Sequence, residues 1–268
     1  MIDTAVSLPK VLTIAGSDSG GAAGLQADLR TFAVLKVYGL CAITAVTAQD
    51  SLSVQQVQFL PPAFVAAQIT AVLTDYGAGA VKTGFIGRAE LVESIAQTVG
   101  NYPQMPLVVD PVLVNHRGQA MFAGSVRDAY VRHLLPLATL VTPNLAETAV
   151  LLQCPPIPPT ELQAIARHAH QLRQFGPRNV LIKGGRDDAG AVDLLLAGDE
   201  VIYLHGALLQ TAHTHGSGDT LSAAVAAFLA QGADVETAVS QAHTFTAKAI
   251  RQGAAYQLGA GHGPVIQW

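Results

Sequence analysis

At 268 residues the chain is long enough to bury a large core, and half of its residues are apolar. Only 13% are charged and the net charge is −4 at pH 7, which argues against a disordered or nucleic-acid-coating protein, because no basic excess exists to neutralise a phosphate backbone. Two cysteines, Cys41 and Cys154, stand outside any CxxC or Cys/His cluster, so neither a disulfide framework nor a cysteine metal site is expected. The start MIDTAVSLPKVLTIAGSD lacks the profile of a signal peptide, and no stretch reaches the roughly 18 unbroken apolar residues that span a bilayer. The expected protein is cytoplasmic and handles small molecules, with no membrane or nucleic-acid partner.

Residues 11–15 form the first expected strand, followed by a glycine-rich turn and a helix over 24–36 with apolar residues at Leu25, Leu29, Phe32, Ala33 and Leu35. The same rhythm continues, with strands expected at 41–47, 80–83, 107–110, 140–142, 180–183 and 191–196. Helices are expected at 62–76, 89–99, 125–135, 145–152, 159–175, 220–231 and 235–252. The proline-rich stretch 154–159 reads as a loop entering a helix with Pro158 or Pro159 near its first turn. Several strands are apolar throughout, so helices must cover both faces of the sheet. The resulting expectation is an α/β fold, a three-layer α/β/α sandwich around a mostly parallel sheet, formed as a single domain over 1–268.

In such sheets ligands collect beyond the carboxyl ends of the strands. The first loop there, 16–24, holds four glycines that let the backbone approach a ligand, and the helix start after it would offer free N–H groups to an anion or a polar ring. It carries neither a Walker A lysine nor GxGxxG, and a purely structural turn explains it equally well. The sharpest local signal is His213-Thr214-His215-Gly216-Ser217-Gly218-Asp219-Thr220, a Gly-Ser-Gly loop opening an alanine-rich helix. Its consecutive N–H groups would cradle the charge of a transferring phosphoryl group. Asp219 reads either as a general base for a substrate hydroxyl or as an acidic residue that merely suits a helix N-terminus. Asn144 and Glu147, in Thr142-Pro143-Asn144-Leu145-Ala146-Glu147, read either as a capping box or as oxygen partners, through water, of a Mg²⁺ ion. Lys183, read as ending a strand, could neutralise a phosphate or simply be solvated, and Asp110 ends another strand at the same edge. The nine histidines form no HExxH or other metal pattern.

Taken in order, IAGSDSGGAAGLQADL, ITAVTAQD, VKTGF, VVDPV, VTPNLAE, VLIKGG, HTHGSGDTLSAA and GAGHGPV resemble the hydroxymethylpyrimidine/phosphomethylpyrimidine kinases of thiamine synthesis, within the ribokinase-like superfamily. The resemblance covers nearly the whole chain. It implies a homodimeric enzyme that uses ATP and Mg²⁺ to phosphorylate 4-amino-5-hydroxymethyl-2-methylpyrimidine and then its monophosphate. It also implies a pyrimidine pocket built from Ala23, Thr47, Gln49, Phe85 and Val112. The phosphate side would comprise Asp110, Asn144, Glu147, Lys183 and the loop His215, Gly216, Ser217, Gly218 and Asp219, with His243 where a lysine near the nucleotide is frequent. This sequence departs from the family at Asp219, where many members have cysteine. Phe85 stands in place of the usual methionine, Asp50 in place of asparagine, and the first loop reads SGGAAG. The GSGD form is similar to that of sugar and pyridoxal kinases of the superfamily. A pyridoxal/pyridoxine kinase is therefore the alternative enzyme, and a non-catalytic pyrimidine-binding protein the alternative of another class.

Overall fold

The computed structural model describes residues 7–115 and 117–268. Its centre is a nine-stranded sheet in the order β3-β2-β1-β4-β5-β6-β7-β8-β9. Six neighbouring strands run parallel: β2 (Tyr38–Gln49), β1 (Lys10–Asp18), β4 (Ala80–Thr83), β5 (Leu107–Val109), β6 (Leu140–Val141) and β7 (Asn179–Asp187). β3 (Val54–Phe59) pairs antiparallel at one edge, and β8 (Gly190–Ala197) and β9 (Glu200–Gly206) pair antiparallel at the other.

Alternating strand residues enter two separate cores. Leu12, Val81, Val109, Val141 and Ile182 face one side, where α2 (Pro62–Asp75), α3 (Ala89–Val99), α4 (Gly124–Ala129), α5 (Leu145–Leu152) and α6 (Leu162–Arg173) pack. Val11, Ala80, Val108, Leu140 and Leu181 face the other, covered by α1 (Gly24–Val34), α7 (Ser217–Ala230) and α8 (Val235–Gly253). Period-two alternation between two apolar faces is why these strands read as continuous apolar runs. Each large aliphatic side chain buried this way contributes on the order of 2 kcal/mol. The α/β class, the two covered faces and the mostly parallel sheet agree with the expectation from sequence.

Several boundaries differ. Strands β3 and β9 were absent from the sequence reading, because each lies at a sheet edge and takes its pairing from a single neighbour. The helix expected at 125–135 stops after α4 and continues as a π-helical turn, Tyr130–Leu134, then a 3-10 turn, Leu135–Leu137, which carries Pro136. Pro158 and Pro159 precede α6 rather than occupying its first turn; its N-cap is Glu161, whose N–H donates to the Pro158 carbonyl. Lys183 does not end β7, which runs on to Asp187 past an irregularity between Ile182 and Gly185.

Candidate active site

A cleft of about 1120 Å³ opens where the parallel strands end. Fourteen of the residues singled out from sequence border it: Ala23, Thr47, Gln49, Phe85, Asp110, Val112, Asn144, Glu147, Lys183, His215, Gly216, Ser217, Gly218 and Asp219. His243 does not. It sits on α8, packs against Gly206, and has Nε2 3.9 Å from Asp193 Oδ2 on β8.

The loop between β1 and α1 is organised by Asp18, which is 5% exposed. Its Oδ1 accepts from the Gly20 N–H and its Oδ2 from the N–H groups of Ala22 and Ala23, at 2.8–2.9 Å. The loop's own carboxylate thus consumes loop donors and that of the N-cap Ala23, while among the described residues no protein acceptor meets the N–H groups of Gly24, Leu25 and Gln26 in the first turn of α1. The loop is also tied to the end of β2 at the cleft, since the Ser19 hydroxyl donates to the Gln49 carbonyl and accepts from the Gln49 N–H, and Thr47 Oγ1 donates to the Ser17 carbonyl.

The α7 loop is built differently. Gly216 caps the helix at φ +79, and a Cβ there would stand 1.9 Å from the Ala22 carbonyl oxygen, so only glycine fits between the two loops. The Ser217 N–H turns back to the Thr214 carbonyl, and the Thr220 N–H donates to the Gly216 carbonyl. Among the described residues no protein acceptor meets the N–H groups of Gly218 and Asp219, so two helix-terminal donors point into the cleft. The loop is pinned by the C-terminal segment through His215 N–H to Gly263 and Val265 N–H to His215.

Below these donors lie two lysine–carboxylate clusters. In one, the Lys183 ammonium is 3.2 Å from Asp110 Oδ1, and Asp110 also accepts from Ser222 and Thr142. Burial works against the Lys183 charge, but Asp110 and Glu147 outweigh it and hold the ammonium above its ordinary value. Burial pushes the Glu147 carboxyl up to about 7, with Lys183 pulling it down and Asp110 pushing it up. The capping box forms in full: Glu147 N–H donates to Asn144 Oδ1 and Asn144 N–H to Glu147 Oε2, both at 2.9 Å. The second cluster joins Lys82 on β4, Asp28 on α1 and Asp219 in the first turn of α7, at 2.8 and 3.3 Å.

At the end of the cleft beside β2, Gln49 Nε2 is 3.2 Å from His215 Nε2, and the His215 ring stacks on His262 at 5.6 Å. His215, which the resemblance assigns to the phosphate side, thus touches Gln49, which it assigns to the pyrimidine pocket. Phe85 forms an apolar wall with Phe59 and Phe122, at ring distances of 6.0 and 5.6 Å.

Sequence reasoning passed over Lys82, Asp28, Asp18 and His262. Two of them left a signal: Lys82 interrupts a strand buried at all four positions, and Asp28 shares the α1 face that carries Leu25 and Phe32. A charge on an otherwise apolar stripe demands a partner.

Known proteins carry the same architecture and much of the same sequence. The phosphomethylpyrimidine kinase family matches residues 18–266. A hydroxymethylpyrimidine/phosphomethylpyrimidine kinase of Streptomyces coelicolor is 46% identical over 260 residues, 97% of this chain and 94% of that protein. An ADP complex of Bacillus subtilis pyridoxal kinase superposes with a TM-score of 0.90 at 34% identity, covering 97% of this chain and 98% of that one. A phosphomethylpyrimidine kinase structure from Clostridium difficile superposes at 0.79, also at 34% identity, over 90% and 99%. Sequence and overall fold agree, and the chain belongs to the phosphomethylpyrimidine kinase family.

Proposed function

We propose that the protein transfers the γ-phosphoryl group of ATP to the hydroxymethyl oxygen of 4-amino-5-hydroxymethyl-2-methylpyrimidine, and then to the monophosphate so formed, in thiamine biosynthesis. The observation that carries this reading is the pairing, at one helix start, of open N–H donors with a carboxylate: the Gly218 and Asp219 N–H groups beside the Asp219 side chain. Phosphoryl transfer needs placement and charge stabilisation more than covalent help. The Gly218 and Asp219 N–H groups form the cradle on the turn shaped by Gly216 and Ser217, Lys183 supplies positive charge, the Asp219 side chain takes the hydroxyl proton, and Asp110 holds Lys183 in place. Gln49 reads the ring through an amide that both donates and accepts, with Ala23, Thr47, Phe85 and Val112 around it. His243 lies apart from this cleft, towards β8 and β9, and its role as a nucleotide contact is the outermost part of the proposal.

Mg²⁺ fits the donor set through water. Among the described residues no group of three or more acidic, histidine or cysteine side chains could cage an ion, whereas Mg²⁺ characteristically keeps its waters and binds through phosphates and one or two carboxylates. A Glu147 carboxyl held up to about 7 beside Asp110 is a site a nearby cation would relieve. Bound there with the nucleotide, the ion would neutralise charge on the phosphates. Homodimerisation and cytoplasmic residence complete the proposal on the strength of the family resemblance; light scattering on the purified chain tests the first.

The deciding experiment offers hydroxymethylpyrimidine, its monophosphate and pyridoxal separately with MgATP and follows products by mass spectrometry. Sequential mono- and diphosphate from the pyrimidine supports the reading. Product from pyridoxal alone would replace the substrate, an outcome worth testing because pyridoxal kinases share this fold so closely.

A further inference from the structure

The Lys82 side chain is fully buried, as is that of Asp28. Burying an ion pair costs more desolvation than an apolar pair of similar volume, so its presence in a well-packed sheet calls for a role beyond packing. Lys82 Nζ donates to Asp28 Oδ1 and Oδ2 at 2.8 and 2.9 Å and to Asp219 Oδ1 at 3.3 Å, which uses its three N–H bonds. Asp28 is itself fixed by Thr13 Oγ1 at 2.6 Å. Gly84 leaves the room for the lysine tip, since a Cβ there would stand 2.9 Å from Nζ. Burial works against the Lys82 charge, but Asp28, Asp219 and Asp110 outweigh it, so the ammonium is held above its ordinary value.

We infer that Lys82, clamped by Asp28, is the positioning residue of the Asp219 carboxylate, and that this pair is needed for phosphoryl transfer to an alcohol but not to a phosphate monoester. The inference rests on the functional reading above. With the alcohol, the hydroxyl oxygen bonds to the γ-phosphorus, the bond from that phosphorus to the ADP oxygen breaks with its electron pair leaving on ADP, and the hydroxyl proton passes to Asp219. Lys82 fixes Oδ1, so Oδ2 is the oxygen that takes the proton. An uncompensated ammonium at this distance would make the carboxylate a poor proton acceptor. Burial pushes the Asp28 carboxyl up to about 7 while Lys82 pulls it down; in its ionised form, held at 2.8 and 2.9 Å from the ammonium, Asp28 cancels that charge and leaves the three groups with a net charge of −1 centred on Asp219. With the monoester, the attacking oxygen is already ionised, the same P–O bonds form and break, and no proton has to be placed.

The test compares Asp28→Asn and the double variant Lys82→Met/Asp28→Asn with wild type on both pyrimidine acceptors, alongside thermal melts. The double variant leaves no unpaired buried charge and guards against a single variant that fails to fold. The expected result is a fall in kcat on the alcohol of at least about tenfold, towards the ~10²–10⁴ that a general base supplies. KM and the rate on the monophosphate should stay within about threefold. Parallel losses on both acceptors, a loss confined to KM, or a lowered Tm with unchanged kcat would each overturn the inference. If wild type accepts only the alcohol, the split between kcat and KM decides. Failure of wild type on both pyrimidines would instead show the functional reading itself to be wrong, and the inference would fall with it.

Discussion

Two glycine-rich loops open two neighbouring helices on the same face of the sheet, and they treat a carboxylate in opposite ways. In the loop before α1, Asp18 folds back onto the N–H groups of Gly20, Ala22 and Ala23 and consumes them. In the loop before α7, Asp219 is drawn away onto Lys82, and the N–H groups of Gly218 and Asp219 stay open to the cleft. The loops even touch, at Gly216 and the Ala22 carbonyl. Loops of similar composition thus settle their carboxylates differently: the partner is local backbone for Asp18 and a lysine from a distant strand for Asp219.

This contrast can be broken in four places. The largest effect is expected for Asp219→Asn, which should lower kcat on the hydroxymethyl substrate by ~10²–10⁴ with little change in Tm; steady-state kinetics beside a melt checks both halves. Next is Gly216→Ala, which places a methyl group against Ala22 at positive φ and misaligns the cradle. A fall of roughly 10²–10³ in kcat, as on loss of an oxyanion donor, is expected, together with a stability loss of about 1–2 kcal/mol or more. Asp18→Asn acts on the other loop: it replaces one of the two oxygens that hold the part-buried Gly20, Ala22 and Ala23 N–H groups with a donor, and denaturant titration should show a loss of about 1–2 kcal/mol, with kcat changed less than for Asp219→Asn.

The smallest effect concerns Glu147. Its carboxyl is raised from 4.5 to about 7 by burial, so the folded state binds the proton more tightly than the unfolded one. The stability this contributes is complete below about 4.5 and is lost as pH rises towards about 7, with a slope of at most about 1.4 kcal/mol per pH unit. Glu147→Gln keeps the side-chain shape and should flatten that part of the pH–stability curve. An unchanged slope would show that Glu147 is already ionised in the folded protein.

The part of the cleft that is legible in sequence sits in loops whose glycines, prolines and short polar side chains have local meaning. Asn144 and Glu147 show this well: the spacing alone suggested a capping box, and the box is formed. The role of Asp18 in the β1–α1 loop was not legible, because an acidic residue in a glycine-rich turn carries no local mark of which loop donors it will consume. Lys82 and Asp28 were passed over because each looks like a lone charge in an apolar element, and 54 positions separate them in sequence. Strand β3 escaped notice because Gln55, Gln56 and Gln58 leave it little apolar pattern, and it becomes a strand only by pairing with β2.

The sequence by itself determined the α/β class, the two covered faces of the sheet, the kinase family and fourteen of the residues that border the cleft. These follow from short-range causes: period-two apolar runs, helix-start chemistry and ordered motifs. Only the tertiary structure decided which donors remain open, which lysine meets which carboxylate and where His243 lies. Those outcomes depend on packing distant elements into one low-dielectric space, where the cost of an unpaired charge selects its partner regardless of separation along the chain.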